Sequence, residues 1–200
     1  MDDITLTING AQVAATPGET VLDVAKRTGT EIPTLCHHKD LLPHGSCRLC
    51  LVELKAGSRS QLVASCGYYV KKGLVVETTS PRVLRARKLV LELLLAFLHR
   101  SPQIQEYAIQ NGVTSSRYDR SLAYCVLCGL CVRYCEEIKK ADCLGFVGRG
   151  VDRDVAWTPL ARYDDTCKTC MECQHLCPTG VFPSNLGMAS PLPPLPQGEG

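Results

Sequence analysis

Thirteen of the 200 residues are cysteine, and twelve of them fall into three sets of four. Cys36, Cys47, Cys50 and Cys66 form the first, with gaps of ten, two and fifteen residues. Cys125, Cys128, Cys131 and Cys135 form the second, and Cys167, Cys170, Cys173 and Cys177 the third; both have gaps of two, two and three, and Pro178 follows the last. Ionised cysteine is a ligand for soft metals. A C-x2-C-x2-C loop can wrap three corners of a four-iron cube with one short stretch of backbone, whose N–H groups then face the cluster sulfurs. Four thiolates at the wider early spacing suit a [2Fe–2S] cluster. Zinc also uses C-x2-C knuckles, but rarely three cysteines at that spacing with the whole run repeated. The chemistry implied is one-electron transfer.

The two late runs resemble those of two-cluster bacterial ferredoxins, in which the fourth cysteine of each run serves the other cluster. That resemblance assigns Cys125, Cys128, Cys131 and Cys177 to one [4Fe–4S] cube and Cys167, Cys170, Cys173 and Cys135 to the other. Glu136 follows Cys135 where the ferredoxin pattern has proline, and the 31 residues between Cys135 and Cys167 exceed what a compact ferredoxin needs. A turn or hairpin around residues 145–150 is expected to take up that length.

The segment Cys36-His-His-Lys-Asp-Leu-Leu-Pro-His-Gly-Ser-Cys47-Arg-Leu-Cys50-Leu-Val-Glu, with Ala64-Ser65-Cys66, resembles the N-terminal domain of the large cluster-bearing subunit of respiratory complex I. It is similar to the same domain of iron-only hydrogenases, NAD-linked formate dehydrogenases and the diaphorase small subunit of bidirectional nickel–iron hydrogenases. The resemblance covers about residues 1–183. It implies an α+β fold: a β-grasp [2Fe–2S] domain over 1–80, a helical linker over 81–124 and a ferredoxin-like domain with two [4Fe–4S] clusters over 125–183. It also implies a relay subunit that is not catalytic alone. Its partners would be a flavin- and NAD(P)H-binding diaphorase subunit and a catalytic hydrogenase or formate dehydrogenase subunit. Members often hold a further cubane on one His and three Cys after the long helix. His99 stands there, but residues 100–124 contain no cysteine, so that cluster is expected to be absent. Two other readings stay open: the front part of a longer redox enzyme of the complex I or iron-only hydrogenase type, and a zinc-stapled structural adaptor.

The elements that must position these cysteines begin with Ile4-Thr5-Leu6-Thr7-Ile8, which alternates as a half-buried strand should. Asn9-Gly10 is a hairpin signal, with the return strand at 12–15, and residues 20–28 read as a short helix stopped by Gly29. Residues 51–54 and 74–77 read as strands. Ser80-Pro81 is a helix start, and 82–100 continues in helix formers, with Val83, Leu84, Leu91, Leu94, Leu95 and Leu98 able to share a face. The nearby Arg82, Arg85, Arg87 and Lys88 read as a solvated face. Residues 101–124 read as a polar stretch, and the proline-rich 184–200 as a disordered tail. His37, His38 and His44 read as surface loop beside an already filled cysteine site. Arg48 either raises the potential of the first cluster or braces its loop. Cys143, the thirteenth cysteine, reads as a buried thiol, and Gly148-Arg-Gly150 lacks the third glycine of a nucleotide fingerprint.

Composition narrows the setting. With 22 basic and 20 acidic residues, a formal charge of +2 and no dense basic block, there is no footprint for nucleic acid. The opening Met1-Asp2-Asp3 lacks a secretory pattern, so the cysteines are expected to be reduced rather than disulfide-bonded. The longest apolar run, 89–98, is broken by Glu92 and is too short to span a bilayer. A cytoplasmic protein without direct membrane insertion is expected. Aromatic content of 6% indicates thin cores, for which metal clusters would also act as staples.

Overall fold

The computed structural model of the chain describes residues 4–99, 101–118, 125–158, 170 and 172–179. Strands β1 (Ile4–Ile8) and β2 (Ala11–Ala15) form the expected hairpin, with Asn9 and Gly10 both at positive φ in the turn. That geometry matches the right-handed twist of the flanking strands. Helix α1 (Val21–Arg27) starts on a capping box: Asp23 N–H donates to the Thr20 hydroxyl at 3.2 Å, and Thr20 N–H to the Asp23 carboxylate at 2.9 Å. Strands β3 (Leu51–Ala56), β4 (Arg59–Ala64) and β5 (Val75–Glu77) complete one sheet in the order β2-β1-β5-β3-β4. β1 and β5 run parallel at its centre, and the other pairings are antiparallel. Leu6, Ile8, Val52 and Val76 of the sheet pack on Val21, Leu22 and Val24 of α1. Cys50 and Cys66 belong to this same core. The fold is mixed α+β.

Helix α2 (Pro81–Leu98) begins with Ser80 as its cap, whose hydroxyl accepts from Val83 N–H at 3.3 Å. Its inner face differs from the expected one in two places. Leu84 points outward, while Arg87 is only 4% exposed, because position 87 lies one turn from Val83 and one from Leu91 and shares their side of the helix. Arg87 is therefore part of the interior and not of a solvated basic face. Residues 102–110, within the stretch expected as a helical linker but read locally only as polar, form helix α3 (Pro102–Gln110), with Ser101 as cap and Pro102 in the first turn. Ile104 and Ala108 of α3 join Leu91 and Leu98 of α2 in a second core, and this core also holds Cys36, Cys47 and Cys128.

Beyond residue 124 the chain folds into short pieces: α4 (Leu130–Arg133), a π-helical turn (Tyr134–Ile138), the hairpin of β6 (Leu144–Val147) with β7 (Asp154–Trp157), and α5 (Glu172–His175). The hairpin takes up the long insertion as expected. Gly148 at its bend is at positive φ, and a Cβ there would lie 2.2 Å from the Asp152 carbonyl oxygen. Residues 119–124 and 184–200 lie outside the described residues, as does Cys167.

Candidate metal centres

The first four cysteines arrive from three places. Cys36 and Cys47 sit in the loop after α1, Cys50 immediately precedes β3, and Cys66 lies in the 3-10 turn (Ser65–Gly67) that ends β4. All four are buried. They come as two pairs: Cys36 Sγ lies 3.4 Å from Cys47 Sγ, and Cys50 hydrogen-bonds Cys66. Within each pair one proton is shared. The hydrogen bond from Cys36 holds the Cys47 thiol down to about 5, and the bond from Cys66 holds Cys50 down to about 6. The donor thiols, Cys36 and Cys66, are pushed well above the usual range by those same bonds and by burial. Among the described residues no three His, Cys, Asp or Glu side chains converge on one ion. A two-plus-two set fits a binuclear cluster, with a pair on each iron, better than one tetrahedral zinc.

The surroundings fit an anionic cluster as well. The fully buried Ser65 hydroxyl lies against the Cys50 sulfur and has no nitrogen or oxygen partner among the described residues. Arg48, between Cys47 and Cys50, has its backbone at φ 57°, the left-handed conformation with which a loop turns successive N–H groups inward into an anion-binding concavity. Its side chain is exposed. Cys47 N–H donates to Cys36 Sγ at 3.4 Å. His37 and His38 are half-buried and His44 is exposed; burial holds the His37 imidazole below its usual range.

In the second set, Leu127 and Gly129 repeat the left-handed backbone at φ 53° and 72°. Leu127 N–H donates to Cys125 Sγ at 3.3 Å. Cys125, Cys128, Cys131 and Cys177 line one apolar cavity, closed by Val155 of β7 and by Pro178. The hairpin thus walls this cavity, and Phe146 of β6 comes within 3.0 Å of where a Cβ on Gly129 would stand. Burial raises Cys125 and pushes Cys128 up to about 11 and Cys131 to about 12. Without a cation between them these thiols stay protonated.

Cys135 and Cys170 both lie within electrostatic reach of Cys173. Burial, then the charges of Cys135 and Cys170, push Cys173 up to about 12. The π-helical turn occupies the place of the ferredoxin proline: Glu136 keeps the chain helical, Lys139 N–H donates to the Tyr134 carbonyl at 3.1 Å and Ala141 N–H to the Cys135 carbonyl at 3.1 Å. One extra residue per turn is a common local device at functional sites. Cys143 is buried, and its N–H donates to Cys135 Sγ at 3.2 Å. Tyr134 and Lys139 both bond the Glu172 carboxylate, which fastens α5 to this turn. His99 ends α2 with its Nδ1 enclosed and with no partner among the described residues.

The three groups adjoin. Cys47 and Cys128 share one core, and a charge on Cys47 makes Cys128 harder to ionise. Cys131 in turn lies within electrostatic reach of Cys173. Arg133 of α4 bridges the first two groups, donating to the Leu42 carbonyl at 2.6 Å and the Cys36 carbonyl at 3.0 Å. Its position, like that of Arg87 and Ser65, was not singled out by spacing, since no local pattern separates a buried arginine from an exposed one.

Residues 1–81 match the family of 2Fe-2S iron-sulfur cluster binding domains. The chain is 33% identical over 213 residues to NADP-reducing hydrogenase subunit HndD of Solidesulfovibrio fructosivorans, covering 91% of this chain and 36% of that protein. It is 30% identical over 212 residues to the mitochondrial NADH-ubiquinone oxidoreductase 78 kDa subunit of Neurospora crassa, covering 91% of this chain and 28% of that protein. It therefore spans little more than a third, or less, of these curated relatives. A chain from the crystal structure of NAD+-reducing [NiFe]-hydrogenase in the H2-reduced state is similar with a TM-score of 0.76 and 30% identity, covering 88% of this chain and 85% of that one.

Proposed function

The chain belongs to the iron–sulfur family of these hydrogenase and NADH-oxidoreductase subunits, with a 2Fe-2S domain at its front, and from that premise we propose that it is an electron relay. In this reading residues 1–80 hold a [2Fe–2S] centre on Cys36, Cys47, Cys50 and Cys66. Residues 81–124 link it to a two-cube domain over 125–183. One [4Fe–4S] cube sits on Cys125, Cys128, Cys131 and Cys177, and the other on Cys135, Cys167, Cys170 and Cys173. The observation that carries the proposal is the contiguity of the three cysteine groups through Cys47, Cys128, Cys131 and Cys173.

When bound, iron–sulfur clusters supply one-electron exchange. The chain's own residues supply the rest. The thiolates fix the positions, N–H groups of Cys47, Leu127 and Cys143 donate to ligand sulfurs, and the apolar walls exclude water. The partners we assign are a flavin- and NAD(P)H-binding diaphorase subunit at one end and a catalytic hydrogenase or formate dehydrogenase subunit at the other, in the cytoplasm. No helix among the described residues is long and apolar enough to cross a membrane. The share of HndD and of the 78 kDa subunit that the chain spans favours one second reading, in which this relay is part of a longer redox enzyme.

Iron, acid-labile sulfide and zinc per chain, measured on anaerobically prepared protein with EPR on the reduced sample, test the proposal. About ten irons, with one [2Fe–2S] signal and interacting [4Fe–4S] signals, is the expected result. Stoichiometric zinc without iron, under conditions that support cluster assembly, would leave a structural adaptor instead.

A further inference from the structure

Arg87 is the one guanidinium of α2 that faces inward, and it is 4% exposed. Its Nη2 donates to the Leu51 carbonyl at 2.8 Å, one residue from Cys50, and its Nε is buried with no partner among the described residues. Among the described residues no carboxylate pairs with it. An arginine stays protonated in proteins, and a buried charge without an opposite one is costly. Glu53, the nearest acid in sequence along β3, pairs with Arg82 at 3.5 Å instead. Burial lowers the Arg87 pKa, and the opposing influence is the charge of Cys50. The anion that this cation faces is therefore the first cysteine site itself.

We propose that Arg87 is the fixed counter-cation of the first centre: a positioning residue that makes the site easier to reduce. The inference rests on reading that site as a [2Fe–2S] centre. When dithionite delivers one electron, the site gains one negative charge and Arg87 neither gains nor loses a proton. The stabilisation is purely electrostatic and larger for the reduced state. An exposed residue such as Arg48 exerts a weaker, salt-screened influence.

R87Q and R87K test this in mediator titrations in which EPR follows the [2Fe–2S] signal of the full chain. R87Q is expected to reduce the equilibrium constant for reduction at least tenfold, a fall of about 59 mV for one electron. R87K is expected to stay within about threefold of wild type, half a decade on the same scale, with the other centres unmoved in both. An R87Q protein with full iron and an unchanged potential overturns the proposal. So does an equal shift in R87Q and R87K, because packing and not charge would then carry the effect. Should R87Q not retain its iron, R87K decides: iron and a near-native potential support the counter-cation, and loss of iron there too overturns it. Wild-type protein without iron in the first site would bring down the relay reading itself, a distinct result.

Discussion

A thiol pair that shares one proton gives the metal-free protein a particular dependence on pH. In the first site Cys47 and Cys50 are depressed from the ordinary 9.0 to about 5 and about 6. A depressed group adds stability that is complete above 9 and lost as pH falls through the folded value. Their partners Cys36 and Cys66 are raised, as are Cys128, Cys131 and Cys173. Raised thiols keep the fold stable below 9 and destabilise it above, where the unfolded chain ionises and the folded one resists. The cysteine contribution in chelated, reduced protein is thus expected to peak near the ordinary thiol value of 9.0 and to decline on both sides. Denaturant midpoints across pH measure it, and a flat profile would contradict the shared protons. The grouping of twelve cysteines into three sets was legible from spacing alone. Ser65 and Arg87 were not, because their roles come from which side of a turn or helix they occupy, and the basic run around Arg87 masks one inward residue among outward ones.

At the scale of single elements, the cap of α1 and the loop glycine of α4 are the two most sensitive points. Thr20→Ala removes the side-chain half of the capping box and should cost about 1 kcal/mol, read as a fall of roughly 2–4 °C in melting midpoint. Gly129→Ala meets a left-handed φ of 72° and the Phe146 ring at 3.0 Å. It should cost about 1–2 kcal/mol from the backbone alone, and a loss of iron confined to the second site would identify where the strain falls. Much of this level was readable. The β1–β2 hairpin, α1, the start of α2 and the hairpin near Gly148 follow from Asn9-Gly10, Thr20, Ser80-Pro81 and the long cysteine gap. Helix α3 was not placed within the expected helical linker, although Ser101-Pro102 repeats the signal of Ser80-Pro81. Its buried face is only Ile104 and Ala108, too narrow a stripe to rise above the polar residues around it. The π-helical turn has no sequence signature beyond a glutamate where a proline was expected.

For the whole molecule, Arg133 ties the sheet-borne site to the late cysteine runs, alongside Glu137, which accepts from Leu42 N–H at 3.0 Å, and Ser46, which donates to the Leu127 carbonyl at 3.2 Å. Replacing it by methionine leaves the Leu42 and Cys36 carbonyls without their donor. The Cys36 carbonyl is buried, and an acceptor left unpaired there costs on the order of 1–3 kcal/mol, whereas Leu42 is exposed and its carbonyl can turn to water. On the relay reading proposed above, R133M should unfold at lower denaturant and weaken magnetic interaction between the first and second centres; intact coupling with normal stability would show that the shared core suffices. The cavity shared by Cys125, Cys128, Cys131 and Cys177 also has a consequence in time. Cys66 completes the first set 111 residues before Cys177 completes the second. At about 5–20 residues per second, a ribosome takes roughly 6–22 s to cover that distance. The nascent chain can be furnished at its front while its later thiols still wait for a partner not yet translated. On the relay reading, assembly would follow the order of translation, and an arrested chain ending short of Cys167 should carry the iron of the first centre alone.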